Sequence, residues 1–201
     1  MQRRVMVGRM AMMLVLGVSL FWAMGTVSAA DKVPAVKAEG AKGPRAIIAT
    51  RFGEIEVTFF PDKAPEHVKN FVSLAKSGFY NGTIFHRVIP GFMIQGGDPN
   101  TKDLNKPETY GQGGPDHRLK AEFNEIPHRR GILSMARTSD PNSAGSQFYI
   151  VVKDSNFLDG QYTVFGEVVR GMDVADKIVS IPRNNRDLPN ERVEMTVTVV
   201  E

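Results

Sequence analysis

The stretch FHRVIPGFMIQGGD, residues 85–98, decides more about this chain than any other part of its 201 residues. It places one arginine, Arg87, among apolar residues and beside a Pro-Gly pair. In an extended segment alternate side chains point to opposite faces, so Phe85, Arg87 and Ile89 are predicted to share a face. A guanidinium between two large apolar residues is costly unless it has a use. Arg87 is therefore a candidate functional residue.

Two further blocks follow in the sequence: GILSMARTSDPNSAGSQFYIVV at 131–152 and FLDGQYTVFGEVVRGMDVADKI at 157–178. The three blocks, in this order, closely resemble the signature of the cyclophilins, which are peptidyl-prolyl cis-trans isomerases. The resemblance extends over roughly residues 45–201. It implies a mainly β fold, an eight-stranded antiparallel barrel capped by two α-helices. Since such a barrel is filled by side chains, the substrate is expected to bind on its outer wall.

The hydrophobic pattern, taken without the resemblance, predicts many short strands broken by Gly, Pro and Asn. The predicted strands are 46–52, 54–60, 83–89, 131–136, 146–152, 163–169 and 192–200. This pattern is typical of an antiparallel sandwich or barrel, and alone it does not separate the two. Apolar residues at helical spacing, with Pro65 in the first turn and Gly78 as a stop, predict a helix at 65–76. A second short helix is predicted near 172–178.

The first thirty residues have the order of a secretory leader: three arginines, an apolar run from about Met10 to Ala23, then small residues. The apolar run is shorter than the roughly 20 residues that span a bilayer, so we expect cleavage near Ala30. An uncleaved anchor helix is the alternative, and the Arg3-Arg4 pair only weakly suggests a twin-arginine route. Residues 31–44, rich in Ala, Lys, Gly and Pro, are predicted to be a flexible spacer, with the isomerase domain at 45–201.

Composition excludes several classes of function. Without the leader's three arginines, 22 basic residues face 22 acidic ones, so the basic footprint of a nucleic-acid-binding protein is absent. The chain has no cysteine, and its four histidines lack metal-ligand spacing, so we expect neither a disulfide, a metal nor a cofactor. The product is expected to be a periplasmic or secreted monomer that contacts a membrane only through the leader during export.

Proline isomerisation suits a residue such as Arg87. An X-Pro bond favours trans by only about 0.5–1 kcal/mol, yet rotation crosses about 18–20 kcal/mol. In the twisted transition state the prolyl nitrogen loses its conjugation and can accept a hydrogen bond. A donor aimed at this nitrogen binds the transition state more tightly than either ground state. Arginine is suited to this role because it stays protonated and holds its donors in a fixed fork.

The resemblance also implies roles for the site residues. Arg87 is the expected catalytic donor and Gln95 steadies it. The substrate-binding residues implied by the family are Phe92, Met93, Tyr149 and Leu158 in the proline pocket, Gln147 with the backbone at Ala136 and Arg137 along the peptide, and Phe157 and Tyr162 at the rim. The alternation within 146–152 agrees, because it places Gln147 and Tyr149 on one face and leaves Phe148 and Ile150 for the core.

Four of these positions differ from the best-known cyclophilins. Phe157 stands where they carry the tryptophan that takes part in cyclosporin binding, and Tyr162 replaces a histidine. Tyr149 replaces a phenylalanine, and Arg137 replaces an asparagine. The segment 99–110 is also several residues longer, which implies a different peptide preference. His86 alternates with apolar neighbours and is predicted to be a satisfied core residue.

The sequence therefore predicts a cyclophilin-type isomerase that acts on proline-containing peptides and on unfolded or folding proteins outside the cytoplasm. The alternative is a chaperone module that binds proline-containing segments, with incidental catalysis. The substitutions at the rim, Phe157 and Tyr162, keep this alternative open.

Overall fold

The computed structural model of the protein describes residues 44–200. The predicted leader, 1–30, and all but the last residue of the predicted spacer, 31–44, lie outside the described residues. Cleavage near Ala30 therefore stays a prediction. Between residues 44 and 200, no helix combines the length and the apolar character needed to cross a bilayer.

Nine strands form one antiparallel sheet. The strands are β1 (Arg45–Thr50), β2 (Gly53–Phe59), β3 (Thr83–Ile84), β4 (Arg87–Ile89), β5 (Met93–Gly96), β6 (Ile132–Met135), β7 (Phe148–Val151), β8 (Val164–Arg170) and β9 (Glu194–Val200). Their order across the sheet is β3-β9-β1-β2-β8-β6-β7-β5-β4. The two edge strands, β3 and β4, are consecutive in the chain and separated only by Phe85 and His86. The sheet must therefore curve until its edges meet, which makes it a barrel.

The predicted fold class is confirmed, although the strand count differs. The predicted strand 83–89 is two strands, because the chain leaves the sheet at Phe85 and His86 and joins its other edge at Arg87. Strand β5 was not predicted from the pattern. Met93 and Ile94 are both buried, one on each face of the sheet, so this strand shows no alternation of apolar and polar residues.

Both predicted helices are present: α1 spans Pro65–Lys76 and α2 spans Met172–Val179. Helix α1 packs against β8 and β9, whereas α2 packs against β2, β4 and β5. Phe71 of α1 enters an aromatic cluster in the barrel interior, with its ring 5.4 Å from Phe148 and 5.5 Å from Phe165. The interior is thus filled by side chains, which leaves the outer wall for a ligand.

The long segment after β5 is fastened at both ends by one carboxylate. Asp98 is fully buried, and its Oδ1 accepts a hydrogen bond from the Asn100 N–H at 2.8 Å. Its Oδ2 accepts from the N–H of Gly111. A Cβ on Gly113 would lie 2.1 Å from Asp98 Oδ1, so only glycine fits beside this carboxylate. These contacts hold the loop 99–110 against the outer wall.

Candidate active site

Cross-strand register brings the predicted catalytic residues into one row on the outer face of the barrel. Arg87 of β4 lies opposite Gln95 of β5, Gln95 lies opposite Tyr149 of β7, and Tyr149 lies opposite Ser134 of β6. Directly opposed residues in an antiparallel pair have Cβ atoms about 4.5–5.5 Å apart. Four strands therefore place a cation, an amide, a phenol and a hydroxyl side by side.

This row borders a cavity of about 480 Å³ on the outer wall. Ten of the eleven predicted site residues line it: Arg87, Phe92, Met93, Gln95, Ala136, Arg137, Tyr149, Phe157, Leu158 and Tyr162. Six further residues line it that were not predicted: His86, Pro107, Tyr110, Gly111, Arg186 and Leu188.

The floor of the cavity is apolar. Met93, Tyr149 and Leu158 belong to a buried cluster on the outer face of the sheet, separate from the barrel interior. Phe92 packs against this cluster, and its ring centroid lies 5.4 Å from that of Phe157. Phe157 itself is 66% exposed, as expected for a residue at the rim. The apolar floor has the chemistry required to hold a small saturated ring.

Arg87 is partly exposed at the wall of this cavity, with 44% of its side-chain surface accessible. Its Nε lies 3.8 Å from Oδ2 of Asp187 in the loop between α2 and β9. Arg87 shares the outer face with Ile89, but the prediction that Phe85 shares it is wrong. Phe85 is fully buried in the barrel interior, because the break between β3 and β4 resets the alternation.

Gln95 contacts a different partner from the one predicted. Its Nε2 donates to Oε1 of Gln147 at 3.0 Å, and Gln147 Nε2 donates to the Gly113 carbonyl oxygen at 2.8 Å. Through Gln147, Gln95 therefore connects β5 to the loop that follows residue 110. It does not hydrogen-bond the Arg87 guanidinium. Gln147 lines an adjoining cavity of about 310 Å³, which shares Gln95, Gly111, Ala136 and Arg137 with the first. The two cavities therefore lie side by side on the outer wall.

Ala136 and Arg137 lie at the border between the two cavities. The Ala136 N–H donates to the Gln147 carbonyl oxygen at 2.9 Å, so this group is already occupied. Arg137 lies over the Tyr162 ring, with Cζ 4.5 Å from the centroid, and its Nη2 donates to the Gln161 carbonyl oxygen at 2.9 Å. Its charge is thus held at the junction of the two cavities.

His86 is buried at the cavity wall, but the prediction of a satisfied core residue is wrong in one respect. Neither of its ring nitrogens has a hydrogen-bond partner of good geometry. Burial lowers the pKa of His86 to about 4, although the Asp98 carboxylate opposes this shift. The imidazole is therefore neutral at pH 7, and Arg87 beside it supplies the positive charge of this wall.

Apart from His86, which lies between β3 and β4, the unpredicted lining residues come from two loops. Pro107, Tyr110 and Gly111 belong to the long loop, whose extra length was visible in the sequence. Arg186 and Leu188 lie in the loop between α2 and β9. The sequence of this loop has no periodic hydrophobic pattern from which their positions could be predicted. Arg186 Nη2 donates to the Pro107 carbonyl oxygen at 3.4 Å, which joins the two loops.

Comparison with known proteins identifies the family of the chain. Residues 45–200 match the family described as cyclophilin type peptidyl-prolyl cis-trans isomerase. The chain belongs to the cyclophilin family. This cyclophilin is 46% identical over 156 residues to a peptidyl-prolyl cis-trans isomerase of Acinetobacter baylyi, covering 73% of this chain and 79% of the relative. It is 45% identical over 168 residues to peptidyl-prolyl cis-trans isomerase B of Escherichia coli, covering 76% and 97%.

Solved cyclophilins have the same architecture. A Cryptosporidium parvum cyclophilin type isomerase superposes with a TM-score of 0.72 at 32% identity, covering 79% of this chain and 98% of that one. A structure described as the same isomerase in the presence of the dipeptide Ala-Pro gives a TM-score of 0.71 at 33% identity, covering 78% and 99%. The chain is a peptidyl-prolyl cis-trans isomerase, and cyclophilins bind proline-containing peptides.

Proposed function

We propose that this cyclophilin accelerates X-Pro rotation in proteins that fold outside the cytoplasm, with Arg87 as the donor to the prolyl nitrogen. The observation that supports the mechanism is the position of Arg87: a permanently charged fork at the wall of an apolar cavity. The proline ring occupies the apolar floor, and Arg87 hydrogen-bonds the nitrogen once conjugation is lost. Because the bond forms only in the twisted state, it lowers the barrier without tightening the binding of either isomer.

The contribution of Arg87 can be bounded by analogy. Removing one preorganised donor from an enzyme site costs about 2.7–4 kcal/mol, or roughly a hundred- to a thousandfold in rate. We expect Arg87→Ala to lower kcat/KM for a short X-Pro peptide by about this factor, measured by exchange spectroscopy.

Arg170→Ala is the matched control. Arg170 is also an exposed arginine paired with a carboxylate, Glu56, at 3.1 Å, but it lines neither cavity. It should leave turnover unchanged. Full turnover in a folded Arg87→Ala variant would exclude the mechanism.

The proposed location rests on the leader in the sequence. If residues 1–30 are removed on export, the mature chain begins at Asp31 and carries no formal net charge. Intact-mass measurement of the protein recovered outside the cytoplasm should give a chain that starts near Asp31. A full-length mass, with the protein in the membrane fraction, would support the uncleaved anchor instead.

A binding role is the second candidate, and the exposed Phe157 favours it. An aromatic ring that is 66% exposed beside an apolar cavity can hold unfolded segments without turnover. The two roles separate in Arg87→Ala. If that variant loses isomerase activity but still suppresses the aggregation of unfolded proteins, and still replaces the native protein in cells that lack it, binding is the function.

A further inference from the structure

We propose that Asp187 is a positioning residue for Arg87, whose carboxylate holds the guanidinium in the orientation that isomerisation requires. The inference rests on the role proposed above for Arg87 and names what fixes that side chain. Asp187 belongs to the loop between α2 and β9. The residues on either side of it, Arg186 and Leu188, both line the cavity.

Two arginines contact the Asp187 carboxylate, one at each of its oxygens. Oδ1 accepts from Nε of Arg183 at 3.0 Å, and Oδ2 lies 3.8 Å from Nε of Arg87. The bond to Arg183 fixes the carboxylate in place. Among residues 44–200, the pair with Asp187 is the only polar contact of the Arg87 side chain. Because this contact uses Nε, the two terminal nitrogens of Arg87 remain available to a peptide in the cavity.

The backbone of Asp187 is tied to the same strand. The Val88 N–H, next to Arg87 in β4, donates to the Asp187 carbonyl oxygen at 2.9 Å. Asp187 has φ of +61°, and among the described residues it is the only non-glycine residue with a positive φ. Aspartate is one of the few non-glycine residues that adopt this conformation readily, so position 187 can supply both the turn and a carboxylate.

The loop does not need the carboxylate to keep its shape. The Asp187 N–H donates to the Asn184 carbonyl oxygen at 3.1 Å, and the Asn184 N–H donates to that of Leu188 at 3.0 Å. Exposed ion pairs contribute little to stability, and both side chains here are about one third or more exposed. The effect of the pair therefore falls on the orientation of Arg87, since a half-exposed guanidinium without a partner samples many rotamers.

The test uses Asp187→Asn and Asp187→Gly. Asparagine and glycine both tolerate a positive φ, so each substitution removes the carboxylate and retains the backbone conformation at position 187. We expect kcat for an X-Pro peptide to fall by about tenfold or more, because a misplacement of about 1 Å can cost up to about a hundredfold. KM and the melting temperature should stay unchanged. Asp173→Asn is the matched control, since Asp173 pairs with Lys177 at 3.1 Å and lines neither cavity.

Two further measurements separate positioning from other effects. In an Arg87→Ala background, Asp187→Asn should change the residual rate by less than about twofold, since it acts only through Arg87. Relaxation of the Arg87 ¹⁵Nε nucleus should show an ordered side chain in the native protein and a mobile one in Asp187→Asn.

The relaxation measurement does not depend on turnover, so it tests the positioning even if Arg87 is not the catalytic donor. An Arg87 that stays equally ordered in Asp187→Asn would overturn the proposal. So would native kcat in both Asp187 variants, or a rate loss that persists in the Arg87→Ala background.

Discussion

At the scale of single residues, Tyr149 carries a buried hydroxyl without a hydrogen-bond partner of good geometry. Burial raises the pKa of its phenol, an effect that the neighbouring Ser134 hydroxyl opposes. Ser134 gives its one proton to the Thr163 carbonyl oxygen at 3.0 Å and meets His128 Nε2 at 3.1 Å, so it offers Tyr149 only a poorly aligned acceptor. An unsatisfied buried group costs about 1–3 kcal/mol.

We therefore expect Tyr149→Phe to raise the free energy of unfolding by about 1 kcal/mol, measured by urea denaturation. Tyr110→Phe is the comparison, because the Tyr110 hydroxyl donates to the Asp103 carbonyl oxygen at 3.0 Å. That variant should gain no stability. A loss of stability in Tyr149→Phe would show that its hydroxyl has a partner after all.

His86 gives the protein a pH-dependent stability. Its pKa is about 4 in the folded protein, as burial dictates, against about 6.5 in an unfolded chain. The unfolded state thus binds the proton more readily, so stability is complete above about pH 6.5 and declines as the pH falls towards 4. We expect a loss of up to about 1.4 kcal/mol per pH unit from this residue.

Denaturant titrations between pH 7 and 4.5 test this expectation. His86→Gln should flatten the decline, although burial also lowers the pKa of His67 and His128, which contribute to it. An equal slope in native protein and His86→Gln would contradict the assignment.

Arg87 and its row show which parts of the site the sequence could reveal. The alternation of Gln147 and Tyr149 with buried Phe148 and Ile150 follows from strand geometry, and the structure confirms it. The contact between Arg87 and Asp187 could not be predicted, because it joins positions 100 residues apart through a loop without periodicity. Side-chain positions set by strand alternation could be predicted from the sequence, whereas contacts that depend on the position of a loop could not.

At the scale of elements, the start of α2 depends on a glycine for two reasons. Gly171 has φ of +92°, and a Cβ there would lie 2.1 Å from the Glu54 carbonyl oxygen in β2. Gly82 has φ of +78° but opens onto free space. Alanine at either site is strained by about 1–2 kcal/mol in the left-handed region. Only at Gly171 must the backbone of β2 also move.

We therefore expect Gly171→Ala to lower the melting temperature clearly more than Gly82→Ala does, measured by calorimetry. The additional drop in melting temperature at Gly171 measures the steric clash between the residue that precedes α2 and the backbone of β2. Equal losses in the two variants would mean that backbone strain alone explains the glycine at 171.

Among the elements, the sequence predicted helices better than strands. Helix α1 has the predicted bounds, because a proline at its start and an apolar stripe mark it. Strand β5 has no such mark, since Met93 and Ile94 are buried on opposite faces. The break at Phe85 and His86 is also hidden, because both residues are buried like those of a continuous strand.

At the scale of the whole molecule, residues 45–200 contain every strand of the barrel and both helices among the described residues. The Escherichia coli relative, matched over 97% of its length, is aligned to 76% of this chain. We expect the fragment 44–201, which keeps the Pro44 carbonyl oxygen that accepts from the Phe59 N–H, to melt within about 2 °C of the chain that begins at Asp31, since every described strand and helix lies within it. Calorimetry of the two proteins tests this. A large drop in the fragment would show that the predicted spacer contributes to the fold.

The buried carboxylate of Asp98 has a consequence for how such a molecule can vary. It fastens Asn100 and Gly111 together, and Thr101 ties the start of the loop to β3, because its Oγ1 accepts from the Ile84 N–H at 3.1 Å. Only the chain after Thr101 therefore forms a loop between fixed ends. We expect that residues can be inserted or exchanged after Thr101 without shifting the arginine row. Diversity in substrate choice can therefore accumulate there while the chemistry stays constant, and a grafted loop of another length should retain turnover and change only which peptides are accepted.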